Sequence, residues 1–71
     1  MELKEGKLIL SEAEYAELRK ANMMASPNIA GIYLRSALRN KNLIEDLDAQ
    51  TNNNFYAECI VAYRNNNYEV R

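Results

Sequence analysis

The 71-residue chain contains no histidine and no tryptophan, a single cysteine, one proline and two glycines. Without histidine it can build neither a Ser-His-Asp triad, nor a Cys-His nucleophile, nor a zinc site based on imidazole. One thiol, Cys59, forms no internal disulfide and cannot by itself hold a structural zinc. It sits in an apolar run and reads as a packing residue, since a reactive thiol needs an electropositive, partly exposed setting. The glycines, Gly6 and Gly31, make no phosphate-binding loop. Glu45, Asp46 and Asp48 lack the glycine and terminal glutamate of a calcium loop and read as a solvated helix face. These absences predict a chain that is not an enzyme and uses no cofactor or metal. No apolar run approaches the ~20 residues that span a bilayer. Met1–Glu5 has no basic region leading into an apolar run, so no signal peptide is expected. With the lone thiol, this predicts a cytoplasmic protein without membrane contact.

The length allows one small domain, residues 1–71. A core of this size supplies only roughly 3 to 5 kcal/mol, and the usual staples are missing, so association is expected, most simply as a homodimer. Nine basic and ten acidic residues leave a net charge of −1, which is not the balance of a strongly basic nucleic-acid binder. The distribution is more polarised. Arg19, Lys20, Arg35, Arg39 and Lys41 all lie between Glu17 and Glu45 with no acid among them, a stretch of net +5. Residues 42–71 hold two basic and five acidic side chains. A division of this kind suits a polyanion-binding half and an acidic, Tyr- and Asn-rich extension over 41–71.

Lys7-Leu8-Ile9-Leu10 is short and apolar and reads as a strand. The Glu5-Gly6 pair before it can form a tight turn onto Leu3-Lys4, or the strand begins only at Lys7. Ser11-Glu12-Ala13-Glu14 has the form of a capping box and opens a helix expected from Glu12 to about Met24. Its early acids and late bases suit the helix dipole, and Tyr15, Leu18 and Met23 or Met24 form its apolar stripe. Ser26-Pro27 then supplies an N-cap and a proline at the first helical position. Ile29, Ile32 or Tyr33, and Ala37 or Leu38 carry helical spacing to about Asn40, with Leu34 on the same side. Gly31 inside this helix costs about 1 kcal/mol relative to alanine. Arg35 and Arg39, one turn apart, are expected on one exposed side.

Asn42–Asp48 reads as one or two further helical turns, and Thr51–Asn54 as a polar break. Phe55–Arg64 fits two periods. As a strand, Phe55, Ala57, Cys59, Val61 and Tyr63 share a face. As a helix, Tyr56, Cys59, Ile60 and Tyr63 form a stripe. The β-branched and aromatic content favours the strand, with Asn65–Asn67 turning the chain into Tyr68-Glu69-Val70 as a hairpin. The expected class is α+β: a short N-terminal strand, two or three helices, and a C-terminal hairpin or helix.

Leu8-Ile9-Leu10-Ser11-Glu12 entering a helix, then Tyr15 and Leu18, then Tyr33-Leu34-Arg35-Ser36-Ala37-Leu38-Arg39 in a second helix, resembles the ribbon-helix-helix family. Its members are small dimeric DNA-binding repressors, antitoxins and plasmid mobilisation accessory proteins. The resemblance covers residues 7–40, about half the chain. It implies that two copies pair their strands and lay the ribbon in a DNA major groove, as a transcription regulator does. Lys7 and Ile9 would then face the bases, and Ser26 and Asn28 at the start of the second helix would offer backbone N–H groups to a phosphate. Arg35 and Arg39 complete the expected DNA contacts.

A second function fits the same chain: a small phage or mobile-element protein that binds a host protein and inhibits or adapts it. Small size, near-neutral charge and abundant asparagine suit it. Tyr56, Tyr63 and Tyr68 in the acidic extension are the residues expected to meet that partner, because tyrosine combines a buried ring with a hydroxyl that seeks a hydrogen bond.

Overall fold

The structure, a computed structural model, describes residues 1–44 and 49–71, with side chains from Asn54 onward in the second range. Its elements run β1 (Glu2–Lys4), β2 (Lys7–Leu10), α1 (Glu12–Ala21), α2 (Pro27–Asn40), α3 (Ala49–Arg64) and β3 (Tyr68–Val70). The fold is α+β, with a short N-terminal strand pair, three helices and a C-terminal strand.

Glu5 and Gly6 both have positive φ, 54° and 82°, the signature of a two-residue hairpin turn that matches the twist of its strands. The hairpin pairs Leu3 with Leu8 and Lys4 with Lys7. β3 joins the other edge of β2 in parallel, with Leu8 opposite Tyr68 and Leu10 opposite Val70. A parallel pair needs a long crossover, and α1, α2 and α3 together provide it. Along β2 the side chains alternate: Leu8 and Leu10 are buried, Lys7 is exposed and Ile9 is half-buried.

This topology departs from ribbon-helix-helix. That fold needs the strand before the first helix to pair with its counterpart in a second copy. Here β2 is the central strand of the order β1-β2-β3. Both of its edges are hydrogen-bonded within the chain, so it has none left for a partner ribbon.

The capping box at α1 forms fully. Glu14 N–H donates to Ser11 Oγ at 3.2 Å, and Ser11 N–H donates to Glu14 Oε1 at 2.7 Å. Glu14, Glu17, Leu18 and Ala21 face inward, and the helix ends at Ala21 rather than near Met24. Of Met23 and Met24, the two candidates for its stripe, Met24 is half-buried against the core and Met23 is 84% exposed. α2 begins as expected, with Ser26 as N-cap and Pro27 next, although the Ser26 side chain makes no capping bond.

α2 buries Ala30, Gly31, Leu34 and Leu38; Ile29 and Ile32 or Tyr33, expected on the apolar stripe with Leu34, are exposed instead. The cause is the close approach of α3. A Cβ on Gly31 would stand 2.7 Å from Ala57 N, so only glycine lets the two backbones meet there. The helix-propensity cost of Gly31 is the condition for that packing.

Residues 55–64 are helical, not a hairpin strand, and the Thr51–Asn54 stretch expected as a break belongs to the same helix. Tyr56, Cys59, Ile60 and Ala62 are buried and Tyr63 is half-buried, which is helical spacing toward α2 and the sheet. Burial on that face overrides the β-prone composition. Asn65–Asn67 does reverse the chain, but as a helix C-cap: Asn66 has φ 58°, and Asn67 N–H donates to Ala62 O at 2.9 Å. α2 ends in the same manner at Asn42, φ 57°, with Leu43 N–H donating to Leu38 O at 2.9 Å. Asparagine accepts the left-handed conformation that this motif needs. Of the short helix expected over 42–48, residues 45–48 lie outside the described residues.

Candidate functional site

The residues expected at a DNA interface are spread over three places. Lys7 and Ile9 lie on the sheet face turned away from Leu8 and Leu10. Lys7 Nζ is 3.1 Å from Glu69 Oε1, and Glu69 also accepts from Arg71 Nε. The Arg71 guanidinium and the Lys7 ammonium hold the Glu69 carboxyl below its ordinary range. Ser26 and Asn28 begin α2, the first half-buried and the second exposed. Arg35 and Arg39 follow on the same helix, half-buried and exposed respectively.

The tyrosines of the extension turn inward. Tyr56 is 6% exposed and belongs to the core. Tyr63 and Tyr68 are half-buried and join Tyr15 in a cluster, with ring centroids 6.0 Å (Tyr15–Tyr63), 5.8 Å (Tyr15–Tyr68) and 4.9 Å (Tyr63–Tyr68) apart. The Arg19 guanidinium lies 5.7 Å from the Tyr15 ring centroid. Burial, then the neighbouring Tyr15, push the Tyr63 hydroxyl up; hydrogen bonding to Tyr15, then burial, push Tyr68 up. The three rings join α1, α3 and β3.

Cys59 is fully buried, and burial pushes its thiol up to about 12, so it carries no thiolate at neutral pH. Among the described residues no group of three or more Cys, Asp and Glu side chains is placed to hold a metal ion. Nor is any helix among them long and apolar enough to cross a membrane.

The surface that stands out is apolar. Met23 is 84% exposed, Tyr33 56%, and Ile29 and Ile32 50% each. They lie within eleven residues of chain, on the α1–α2 connection and the outer side of α2. Single exposed apolar residues are ordinary, whereas a contiguous group of large ones marks a contact surface. Beside them runs a groove of about 300 Å³ between α1 and α2, lined by Glu17, Lys20, Ala21, Met24, Tyr33 and Ala37.

Cations edge the groove. Glu17 is only 3% exposed, and its carboxylate is shared by Lys41 at 2.8 Å and Lys20 at 3.4 Å. Hydrogen bonding from Lys41 outweighs burial and holds the Glu17 carboxyl below its usual value. Arg64, from the end of α3, fastens the loop that carries Met23 and Met24. Its guanidinium donates to Asn22 Oδ1 at 2.7 Å and to the carbonyls of Met24 (2.5 Å), Ala25 (3.1 Å) and Asn22 (3.3 Å). The apolar patch therefore sits on a held loop and a rigid helix.

Spacing put Ile29, with Ile32 or Tyr33, on the inward stripe, and all three are at least half exposed. The available signal was that α2 carries more apolar positions than one helix face can bury. Nothing local pointed to Arg64, whose partners are about forty positions away.

Compared with protein-family models, with curated proteins and with solved structures, the chain matches none.

Proposed function

We propose that this chain is a small protein-binding module, an adaptor or inhibitor that meets its partner through the outer side of α2 and the α1–α2 groove. The observation that carries this reading is the grouping of Met23, Ile29, Ile32 and Tyr33, each at least half exposed, in a domain whose other large apolar side chains are mostly turned inward. Folding alone does not account for Ile29, Ile32 and Tyr33 in water on one side of α2, with Met23 on the connection before it. Interfaces have an apolar centre with a polar rim, and tyrosine and methionine are enriched there.

The DNA-regulator reading is supported only by the basic stretch from Arg19 to Lys41, since β2 has no open edge to form a ribbon with a second copy. Phosphate contacts would make such binding steeply salt-dependent, and an apolar patch adds nothing to them.

The test compares the wild-type chain with Ile32→Asp in native-mass and cross-linking measurements, in pull-downs and in a DNA mobility shift. The expected result is a protein association, with a partner or with a second copy, that Ile32→Asp loses while its circular dichroism and melting temperature are kept. Identical association by the two proteins overturns the reading, as does DNA binding alone.

A further inference from the structure

We infer that β1 pairs with the β1 of a second copy, antiparallel about a two-fold axis through Leu3, and so makes the chain a homodimer. The hydrogen bonds of the hairpin lead there. Lys4 and Lys7 close its two-residue turn as a hydrogen-bonded pair, and along an antiparallel ladder such pairs alternate with non-bonded ones. Leu3 and Leu8, the next pair, are therefore non-bonded. In agreement, Leu8 N–H donates to Asn67 O at 3.0 Å, on the other side of β2. The N–H and C=O of Leu3 point the opposite way, off the open edge of the sheet.

The charges on that edge select the occupant. With Leu3 opposite Leu3 of the second copy, Glu2 of each chain stands across from Lys4 of the other, twice by symmetry, on the sheet face remote from the helices. Glu2 and Lys4 are exposed, and among the described residues neither takes part in a salt bridge. Within the hairpin Lys4 lies opposite another cation, Lys7, whose carboxylate partner is Glu69. A parallel pairing would set Glu2 against Glu2 and Lys4 against Lys4. The far edge, β3, has no such charges to offer, because Glu69 already binds both Lys7 and Arg71. An unrelated extended peptide meets the same backbone groups without the matched charges.

On the helix side of this edge a pocket of about 390 Å³ opens between β1 and α3, with Leu3, Val61, Ala62 and Glu58 among its walls. Val61 is 44% exposed there. Leu3 of the second copy arrives on the same face as Leu3 and adds its side chain to that apolar wall. Two three-stranded sheets become one of six, an ordinary size for a sheet, and a domain with a small core gains buried surface.

The test measures the mass of the full chain by sedimentation equilibrium from micromolar to millimolar concentration. It includes Glu2→Lys, Lys4→Glu and the two substitutions together, with circular dichroism and melting temperature confirming the fold of each. The wild-type chain is expected to form a dimer. Each single reversal sets like charges across from each other at both symmetric positions and is expected to weaken the dimer ~10-fold. The double substitution puts opposite charges back in reversed order and is expected to restore it. Hydrogen exchange of the Leu3 amide is expected to slow as the wild-type concentration rises.

A chain that stays monomeric at millimolar concentration overturns the inference. So does a double variant that dimerises no better than the singles, or a dimer in which the Leu3 amide gains no protection. This interface leaves the outer side of α2 uncovered, so Ile32→Asp is expected to keep the dimer while losing the association proposed above. A dimer lost with Ile32→Asp overturns the β1 pairing and leaves the protein-binding reading standing.

Discussion

The two sides of α2 use the same kinds of residue for opposite ends. The inner side carries Ala30, Gly31, Leu34 and Leu38, all buried. It alternates small and large positions, so α3 can come within backbone contact at Gly31 while the leucines fill the space on either side. The outer side carries Ile29, Ile32 and Tyr33 at i, i+3 and i+4, all at least half exposed. Hydrophobicity alone would bury the outer side first, because its side chains are larger. Shape decides otherwise: a helix packs tightly where its partner finds a small residue to approach. The difference teaches that the larger apolar stripe of this helix remains available for something outside the fold.

Truncation on the inner side should have the largest effect. Leu34 is fully buried, and Leu34→Ala leaves a cavity at the junction of α2 with its neighbours. The expected loss is about 2 to 5 kcal/mol, read as a lower midpoint in urea. Gly31→Ala sharpens the contrast by its sign. In an exposed helix it would stabilise by about 1 kcal/mol. Here the added methyl meets the Ala57 backbone, and the expected outcome is a destabilisation of about 1 to 3 kcal/mol by overpacking. A stabilised Gly31→Ala protein would show that α2 and α3 do not approach as described.

A smaller effect should follow pH through the end of α1 remote from the groove. Glu14 is 8% exposed. Its Oε2 accepts from the Met1 ammonium at 2.8 Å while Oε1 accepts from Ser11 N–H. Burial raises its pKa, but the ammonium and the Ser11 bonds together outweigh burial and leave it below its ordinary value of 4.5. A depressed carboxyl stabilises the fold above its unfolded-state pKa, and the contribution is lost as pH falls through the folded one. Stability should therefore decline below about pH 4.5, and Glu14→Gln should flatten part of that decline. Urea midpoints across pH for the two proteins measure it; parallel profiles would remove Glu14 from the account. On the outer side of α2, Ile32→Asp should shift stability least, by no more than about 0.5 kcal/mol, as exposed substitutions do. A large loss of melting temperature there would mean that the side is covered within the fold.

Local chemistry made several elements readable. The Ser11–Glu14 capping box and the Ser26-Pro27 start of α2 each depend on a few adjacent residues, and each lies where those residues put it; the Glu5-Gly6 turn is the first of the two readings those residues left open. The helix over 55–64 was harder. Its isoleucine, valine and tyrosines suit a strand as well as a helix, and only the face that α2 and the sheet cover chooses between the periods. Asn65–Asn67 was legible as a reversal and not as a helix end, because the same left-handed residue serves both. The second edge of β2 was not legible. Its neighbour β3 stands some sixty positions away, and nothing in Lys7–Leu10 says whether its second edge meets Tyr68–Val70 or another chain. The candidate site divides in the same way. Its cations show as the acid-free stretch from Arg19 to Lys41, while its apolar side was hidden among residues that spacing assigned to the core.

The sequence by itself determined the capping box that opens α1 and the Ser26-Pro27 start of α2, since these follow from the conformational preferences and hydrogen bonds of neighbouring residues. It also determined the charge polarity, which is simply where the ionisable side chains fall. Tertiary structure decided which side of α2 is inside, that residues 55–64 are a helix, and that β2 lies between two strands of its own chain. Each depends on the fit of surfaces brought together from distant positions: Gly31 against Ala57, Leu8 between Leu3 and Tyr68, Arg64 over the Asn22–Ala25 carbonyls. That fit is a property of shapes in contact, and no single segment contains it.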